Sequence, residues 1–262
     1  MNQPPSPRSR KWEWVKPWIG IVVVLVIWTA VSNLGILNTY VLPSPQQCYK
    51  AFRKMLLSGE LGRDILISFQ RVLRGFSIAF LLAFLIGALK ILVPASAGFY
   101  EHIIQFFRNV PPLSMIPLLI LWCGIRETTK TVIIVLASFF PMYLSIVKVF
   151  TQVDPGLIEV GKTFRFSAWK RFYRILLPSA LSDILVGMRT GLGYAWRAII
   201  GAEMIAASTG LGHLILLSQQ TSRTDKVIVG IFVIGTVGYV TDRLFGFLIR
   251  KFFGRTARNG WD

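Results

Sequence analysis

Long apolar runs separated by short polar stretches dominate the chain; Trp18 to Ala30 and Lys226 to Ile249 are two of them. A helix needs about 20 mainly apolar residues to cross the hydrocarbon of a bilayer. The pattern therefore predicts helices near 18–34, 65–92, 112–124, 131–149, 180–206 and 226–249. That is an all-α integral membrane protein of about six transmembrane helices. It divides into an N-terminal tail over 1–17, a transmembrane body over 18–249 and a C-terminal tail over 250–262. The third stretch is short for a span and is made irregular by Pro111, Pro112 and Pro117. A proline-broken helix at membrane depth is tolerated only where neighbouring protein re-satisfies the freed backbone groups, so this segment is expected to pack centrally. Between the first two spans, Tyr49, Phe52 and Leu56 share a helical face opposite Lys50 and Lys54. Ile65, Phe69, Val72 and Phe76 continue that spacing, which predicts a short helix along the membrane surface.

Composition agrees: 53% of the 262 residues are apolar and 16% charged, against roughly 45–50% and 25% in a soluble domain. The formal charge of +17 raises the question of nucleic acid. A nucleic-acid surface needs its basic residues on a soluble face, and here they flank apolar runs, so no such partner is expected. Lys and Arg fall about two to one on the side of the N-terminus, which places both termini in the cytoplasm and agrees with an even number of spans. The basic start, Met1 to Lys16, reads as the approach to an uncleaved first helix, because no A-x-A site follows cleanly. Cys48 and Cys123 make neither a disulfide framework nor a metal site, and His102 and His213 have no second ligand at metal spacing. No nucleophile, base and orienting acid can be assembled, so neither catalytic residues nor a cofactor or metal site is expected in this chain.

One motif points elsewhere. Gly156-Leu157-Ile158-Glu159-Val160-Gly161-Lys162-Thr163 satisfies the P-loop expression G-x-x-x-x-G-K-[ST]. That expression carries meaning only between a strand and a helix of a nucleotide-binding sheet. The segment lies in a connection of about 30 residues between two spans, too short for such a sheet, and the match is read as coincidental.

The same connection, 150–178, carries a second pattern. Glu159-Val160-Gly161, three residues, Arg165, nine residues, then Ile175-Leu176-Leu177-Pro178 resembles the signature loop of bacterial ABC-importer permeases, E-A-A, three residues, G, nine residues, I-x-L-P. Gly161 replaces one small residue by another, and Arg165 stands where the family has glycine. Further pieces are similar to the nitrate, sulfonate, taurine and bicarbonate branch: Leu42-Pro43-Ser44-Pro45, Ser68, Arg71 and Gly75, Pro111 through Ile116-Pro117 to Gly124, Gly187-Met188-Arg189, Ala202-Glu203 and Gly210-Leu211-Gly212. The resemblance implies the type I permease fold in a bacterial cytoplasmic membrane. It further implies a homodimer served by two separate ABC ATPase subunits, which carry the ATP and Mg²⁺, and by an extracytoplasmic substrate-binding protein. The loop between the fourth and fifth spans is then the coupling element. Leu157, Ile158 and Phe164 would seat in a groove of the ATPase, Glu159 would hold the loop or the partner through charge-assisted bonds, and Gly161, Arg165, Ile175 and Leu177 would shape it. Pro178 would end it. The solute implied is a small anion, with a thiamine or pyrimidine precursor as the alternative.

Charges inside spans are costly and usually face a cavity or a partner. Arg189, Arg197 and Glu203 in the fifth span are thus candidates for the translocation path or the dimer axis, the alternative being pairing of the arginines with Glu203, Asp183 or Asp242. The same span carries Gly187 and Gly191 at a spacing that suits close helix packing. A self-sufficient ion-coupled carrier is the competing function; it is disfavoured by the scarcity of acidic residues at mid-span.

Overall fold

In the computed structural model residues 7–34, 38 and 40–253 are described, and they form helices joined by turns with no strand among them. The N-terminal tail as far as residue 6 and the C-terminal tail from residue 254 lie outside the described residues. The helices are α1 (Pro7–Asn33), α2 (Pro45–Leu57), α3 (Glu60–Leu92), α4 (Ala97–Arg108), α5 (Ile116–Cys123), α6 (Glu127–Thr151), α7 (Pro155–Thr163), α8 (Ala168–Arg171), α9 (Leu177–Ala206), α10 (Leu211–Gln220) and α11 (Thr224–Phe253). Among the described residues four helical stretches are long and apolar enough to cross a membrane: Glu60–Leu92, Glu127–Thr151, Ala168–Ala206 and Thr224–Lys251. The apolar part of α1, Val22–Asn33, lies within the segment 18–34 predicted as the first span and is shorter than these stretches.

The third predicted span is half of a larger element. Pro94–Arg108 and Pro112–Cys123 are long and apolar enough only as a pair, bent by 93° at the break, the geometry of a broken span or of a re-entrant loop. Pro111 and Pro112 cause it, since neither offers an amide and the residue before a proline is driven out of the helical region. α4 buries only Ile104. A single carboxylate ties it down: Glu101 accepts hydrogen bonds from Lys90 Nζ at 2.6 Å and from the Tyr143 hydroxyl at 3.1 Å.

Two compact units are distinguishable. The first takes the described residues up to Leu61 together with Ile215–Phe232. Within it Ser44 caps α2: its hydroxyl accepts from the Gln47 amide while the Gln47 side chain accepts from the Ser44 amide, and Pro45 opens the helix. The Trp28 indole donates to the Pro43 carbonyl at 3.1 Å and stacks on Phe232, with ring centroids 6.4 Å apart. The face α2 buries is Cys48, Ala51 and Met55, while Tyr49 and Leu56, predicted to share the apolar face, are exposed. Lipid tails are as apolar as leucine, so helices associate through close packing of small residues and leave the large ones outward.

The second unit takes Gly62–Leu214 and the described residues from Val233. Its centre is α6, whose Ile133, Ile134, Met142, Tyr143 and Ile146 are wholly or almost wholly enclosed. A Cβ on Gly75 or Gly87 of α3 would meet Ile134 or Ile146 of α6 at 2.6 and 2.8 Å. On α9, a Cβ on Gly187 would meet Ser145 at 2.6 Å and one on Gly191 would meet Met142 at 2.4 Å. The glycine face of α9 therefore packs on α6 of its own chain.

Candidate functional site

At one end of α6 four charged side chains meet, with Arg71, Lys130 and Glu203 buried and Glu127 at the surface. Arg71 donates from Nε and Nη2 to both carboxylate oxygens of Glu127, at 2.8 and 2.7 Å, and from Nη1 to Glu203 Oε1 at 2.8 Å. Lys130 donates to Glu127 at 2.6 Å. Glu203 has no exposed surface, and its carboxylate also accepts from the Ser68 hydroxyl at 2.8 Å and the Gly212 amide at 3.0 Å. Two cations balance two carboxylates, and each buried group is hydrogen-bonded, the condition under which buried charges persist.

The cluster also starts α10. The first amides of a helix have no partner within it; here the Gly210 amide donates to Asp64 Oδ1, the Leu211 amide to Ser68 Oγ and the Gly212 amide to Glu203 Oε2, each at 3.0 Å. Gly210 has φ +108°, and a Cβ on Gly212 would meet the Ile200 carbonyl at 2.4 Å. Both glycines are required by this turn. Glu203, a candidate for the path or the dimer axis, has no exposed surface in this chain, where Arg71, Ser68 and the Gly212 amide hold its carboxylate. Its link to Arg71, 132 positions away, was missed from the sequence, although a carboxylate and a guanidinium each set in an apolar run are a signal for such a pair.

The two arginines of α9 differ. Arg189 makes a bidentate pair with Asp242 of α11, one of the partners weighed from the sequence. Arg197 is exposed and lies 5.6 Å from the Tyr194 ring centre, and no carboxylate pairs with it among the described residues. With Arg108, Leu113, Phe140 and Leu144 these two residues line a cleft of about 380 Å³ beside the break between α4 and α5.

At the other end of α6 the chain turns through α7 and α8. Asp154 caps α7 by accepting from the Gly156 amide at 2.8 Å, and Pro155 opens it. The P-loop-like residues are therefore helical, and from the second turn their amides bond within the helix, leaving no open loop to cradle a phosphate. Leu157, Val160 and Phe164 form an exposed stripe, continued by exposed Trp169 and Tyr173. Ile158 instead turns inward, lining a cleft with Phe150, Ile175 and Leu176, so Val160 replaces it on the outer face. Glu159 is exposed and has no ion pair among the described residues. Gly161 is buried, and a Cβ there would meet Ile175 at 2.7 Å, which explains a very small residue at this place.

Arg165 takes the left-handed conformation, φ 52°, at the end of α7, and the Phe166 amide returns to the Gly161 carbonyl at 2.9 Å. The turn that suits glycine is thus kept with arginine in it. Ile175 and Leu177 are half-buried. Pro178, expected to end the loop, lies inside a continuous helix from Ala168 to Ala206. The segment Phe172–Leu176 just ahead of it is a wider π turn, with the Leu177 amide bonded to the Phe172 carbonyl. That widening relieves the clash a proline ring otherwise makes with the carbonyl four residues back.

A family model described as the binding-protein-dependent transport system inner membrane component matches residues 75–254. The chain is 34% identical over 246 residues to SsuC of Bacillus subtilis (strain 168), named for aliphatic sulfonates transport; the match covers 94% of this chain and 89% of the relative. It is 31% identical to the taurine transport system permease protein TauC of Escherichia coli (strain K12), over 92% of each chain. It is 30% identical to the bicarbonate transport system permease protein CmpB of Synechocystis, over 92% of this chain and 89% of that one. Among solved structures the fold is similar to a chain of the MetNI methionine ABC transporter in an inward-facing conformation. The TM-score is 0.54 and the identity 16%, over 74% of this chain and 96% of that one.

Proposed function

The chain belongs to the binding-protein-dependent transport system inner membrane components, and from that membership we propose that it passes a small anion across a bacterial cytoplasmic membrane, driven by separate ATPase subunits. Two copies of the chain form the path, two ATPase subunits bind ATP and Mg²⁺, an extracytoplasmic protein delivers the solute, and both termini are cytoplasmic. The names of the relatives support an anionic solute, since sulfonate, taurine and bicarbonate all carry an acidic group.

One observation carries the coupling role: α7 holds Leu157, Val160 and Phe164 exposed on one face, in a turn that follows one crossing helix and precedes the next. A short helix with an apolar stripe fits a helix-in-groove contact on a soluble partner. The exposed Glu159 beside that stripe supplies a charge-assisted hydrogen bond to the groove. Arg197, exposed and without a carboxylate, supports an anion-facing position on α9, whereas Arg189 is neutralised by Asp242.

The test is ATP hydrolysis and solute uptake in proteoliposomes, with the chain alone and with its copurifying ATPase. Stimulated hydrolysis and uptake are expected only when both are present, and Glu159→Lys is expected to leave an inserted protein whose ATPase ignores solute. Uptake by the chain alone overturns the proposal in favour of an ion-coupled carrier.

A further inference from the structure

We infer that the cleft at the α4–α5 break is a binding site for a small organic anion with an apolar tail, its charged head held by Arg108 and Arg197 and its tail by Leu113, Phe140 and Leu144. The inference rests on the transport reading and adds that the membrane subunit itself selects among anions.

Charge comes first. A guanidinium set in a membrane-crossing helix is stable where it meets a counter-charge or a wet cavity. Arg197 is exposed on α9 and lies near the Tyr194 ring, a contact that orients the guanidinium without neutralising it. Arg108 occupies the last turn of α4, where the helix carbonyls favour a cation, and it too is exposed with no carboxylate paired to it among the described residues. Two unneutralised guanidiniums on one cleft are complementary to an anion, and their planar donors suit the paired oxygens of a sulfonate or carboxylate.

The backbone supports the same place. Non-helical backbone at membrane depth occurs where it is buried in protein or lines a cavity, and interrupted spans mark solute sites in transporters. The irregular stretch here satisfies itself locally, the Ser114 amide and hydroxyl both donating to the Pro111 carbonyl at 3.0 and 2.7 Å, so its turn is fixed without the solute. The cleft, about 380 Å³, falls in the ordinary size range of small-molecule sites, and its mainly apolar wall with a few charged groups has their usual character. A compact hydrated anion gains nothing from Phe140 or Leu144, whereas each methylene of a tail laid on them adds to affinity.

The experiment uses the full chain with its copurifying ATPase in lipid nanodiscs, and calorimetric titration with methanesulfonate, propanesulfonate, pentanesulfonate and bicarbonate. Affinity is expected to rise roughly three- to fourfold per methylene, with bicarbonate weakest. Arg108→Gln and Arg197→Gln are each expected to weaken pentanesulfonate roughly tenfold or more with the thermal midpoint unchanged. Leu144→Ser is expected to flatten the chain-length dependence, weakening pentanesulfonate more than methanesulfonate. Affinity independent of chain length in the unaltered protein, or pentanesulfonate binding that survives both arginine changes, overturns the inference. ATP-driven uptake on the same samples separates the two claims: coupled uptake with flat chain-length dependence sinks the cleft and keeps the transport role, and tail-dependent binding without coupled uptake does the reverse.

Discussion

The guanidinium of Arg71 and the carboxylate of Glu203 meet at 2.8 Å, and the carboxylate has no exposed surface. Removing one partner of such a pair strands the other. Arg71→Ala is expected to destabilise the protein by about 3–5 kcal/mol, and Arg71→Met combined with Glu203→Met is expected to cost less than the two single changes added together. Thermal unfolding in nanodiscs of Arg71→Ala and of the cycle of unaltered, Arg71→Met, Glu203→Met and doubly changed proteins checks this, and strict additivity would mean the residues act independently.

Arg165 holds a left-handed turn that costs an L-residue about 1–2 kcal/mol. Arg165→Gly is expected to gain about 0.5–1 kcal/mol after the greater chain entropy of glycine is set against it. Arg165→Val is expected to lose stability, since a branched Cβ fits that conformation badly. Chemical denaturation of the three proteins reads both signs.

Two glycines separate packing from mere composition. A Cβ on Gly212 would lie 2.4 Å from a backbone oxygen, which has little freedom to move, whereas one on Gly193 would meet nothing within 4 Å. Gly212→Ala is expected to cost about 2 kcal/mol or more and to reduce the yield of inserted protein. Gly193→Ala, in the interior of α9, is expected to be neutral or to stabilise by up to about 1 kcal/mol.

Phe164 and Leu157 are exposed, so truncating them removes little packing from the chain itself. Phe164→Ala and Leu157→Ala are expected to leave the thermal midpoint within a degree or so while weakening capture of the copurifying ATPase at least roughly tenfold, the loss typical of a central anchor in a contact. Equal capture by both variants would exclude this stripe as the contact.

The Cys48 thiol is buried in α2 and pushed above the ordinary cysteine range, by burial first and by Asp225 second. Because only the thiolate reacts, Cys48 is expected to resist maleimide at pH 8 and to label fully once the protein is unfolded. Rapid labelling of Cys48 in the Cys123→Ser protein would show that α2 opens locally.

The legible part of this molecule was its lipid-facing pattern and its shortest-range chemistry. The runs 131–149 and 226–249 lie inside α6 and α11, because crossing a bilayer demands uninterrupted apolar residues. α4 was illegible: Glu101, His102 and Gln105 dilute its hydropathy, and Pro111 and Pro112 hide its continuity with α5. On α2 the larger apolar residues pointed to the wrong face, since in lipid bulk does not reveal burial. Ser68, Arg71, Glu203, Gly210 and Gly212 were each visible as fragments, yet what unites them is hydrogen bonding across more than 130 positions, which periodicity does not record. Pro178 read as a terminator because the π turn that accommodates it leaves no mark in the residue pattern.

Glu101 is the chief polar tie of α4. The helix buries one isoleucine, and the carboxylate gripped by Lys90 and Tyr143 is its main polar attachment to α3 and α6. The polar hold on α4 is thus one half-buried ion pair with a phenol beside it, whereas α6 and α9 interlock along a glycine face. A helix attached so lightly, beside helices packed so closely, divides the chain into a loosely held part and a firmly held one. The contact between them is a single glutamate, which accepts from one ammonium and one phenol.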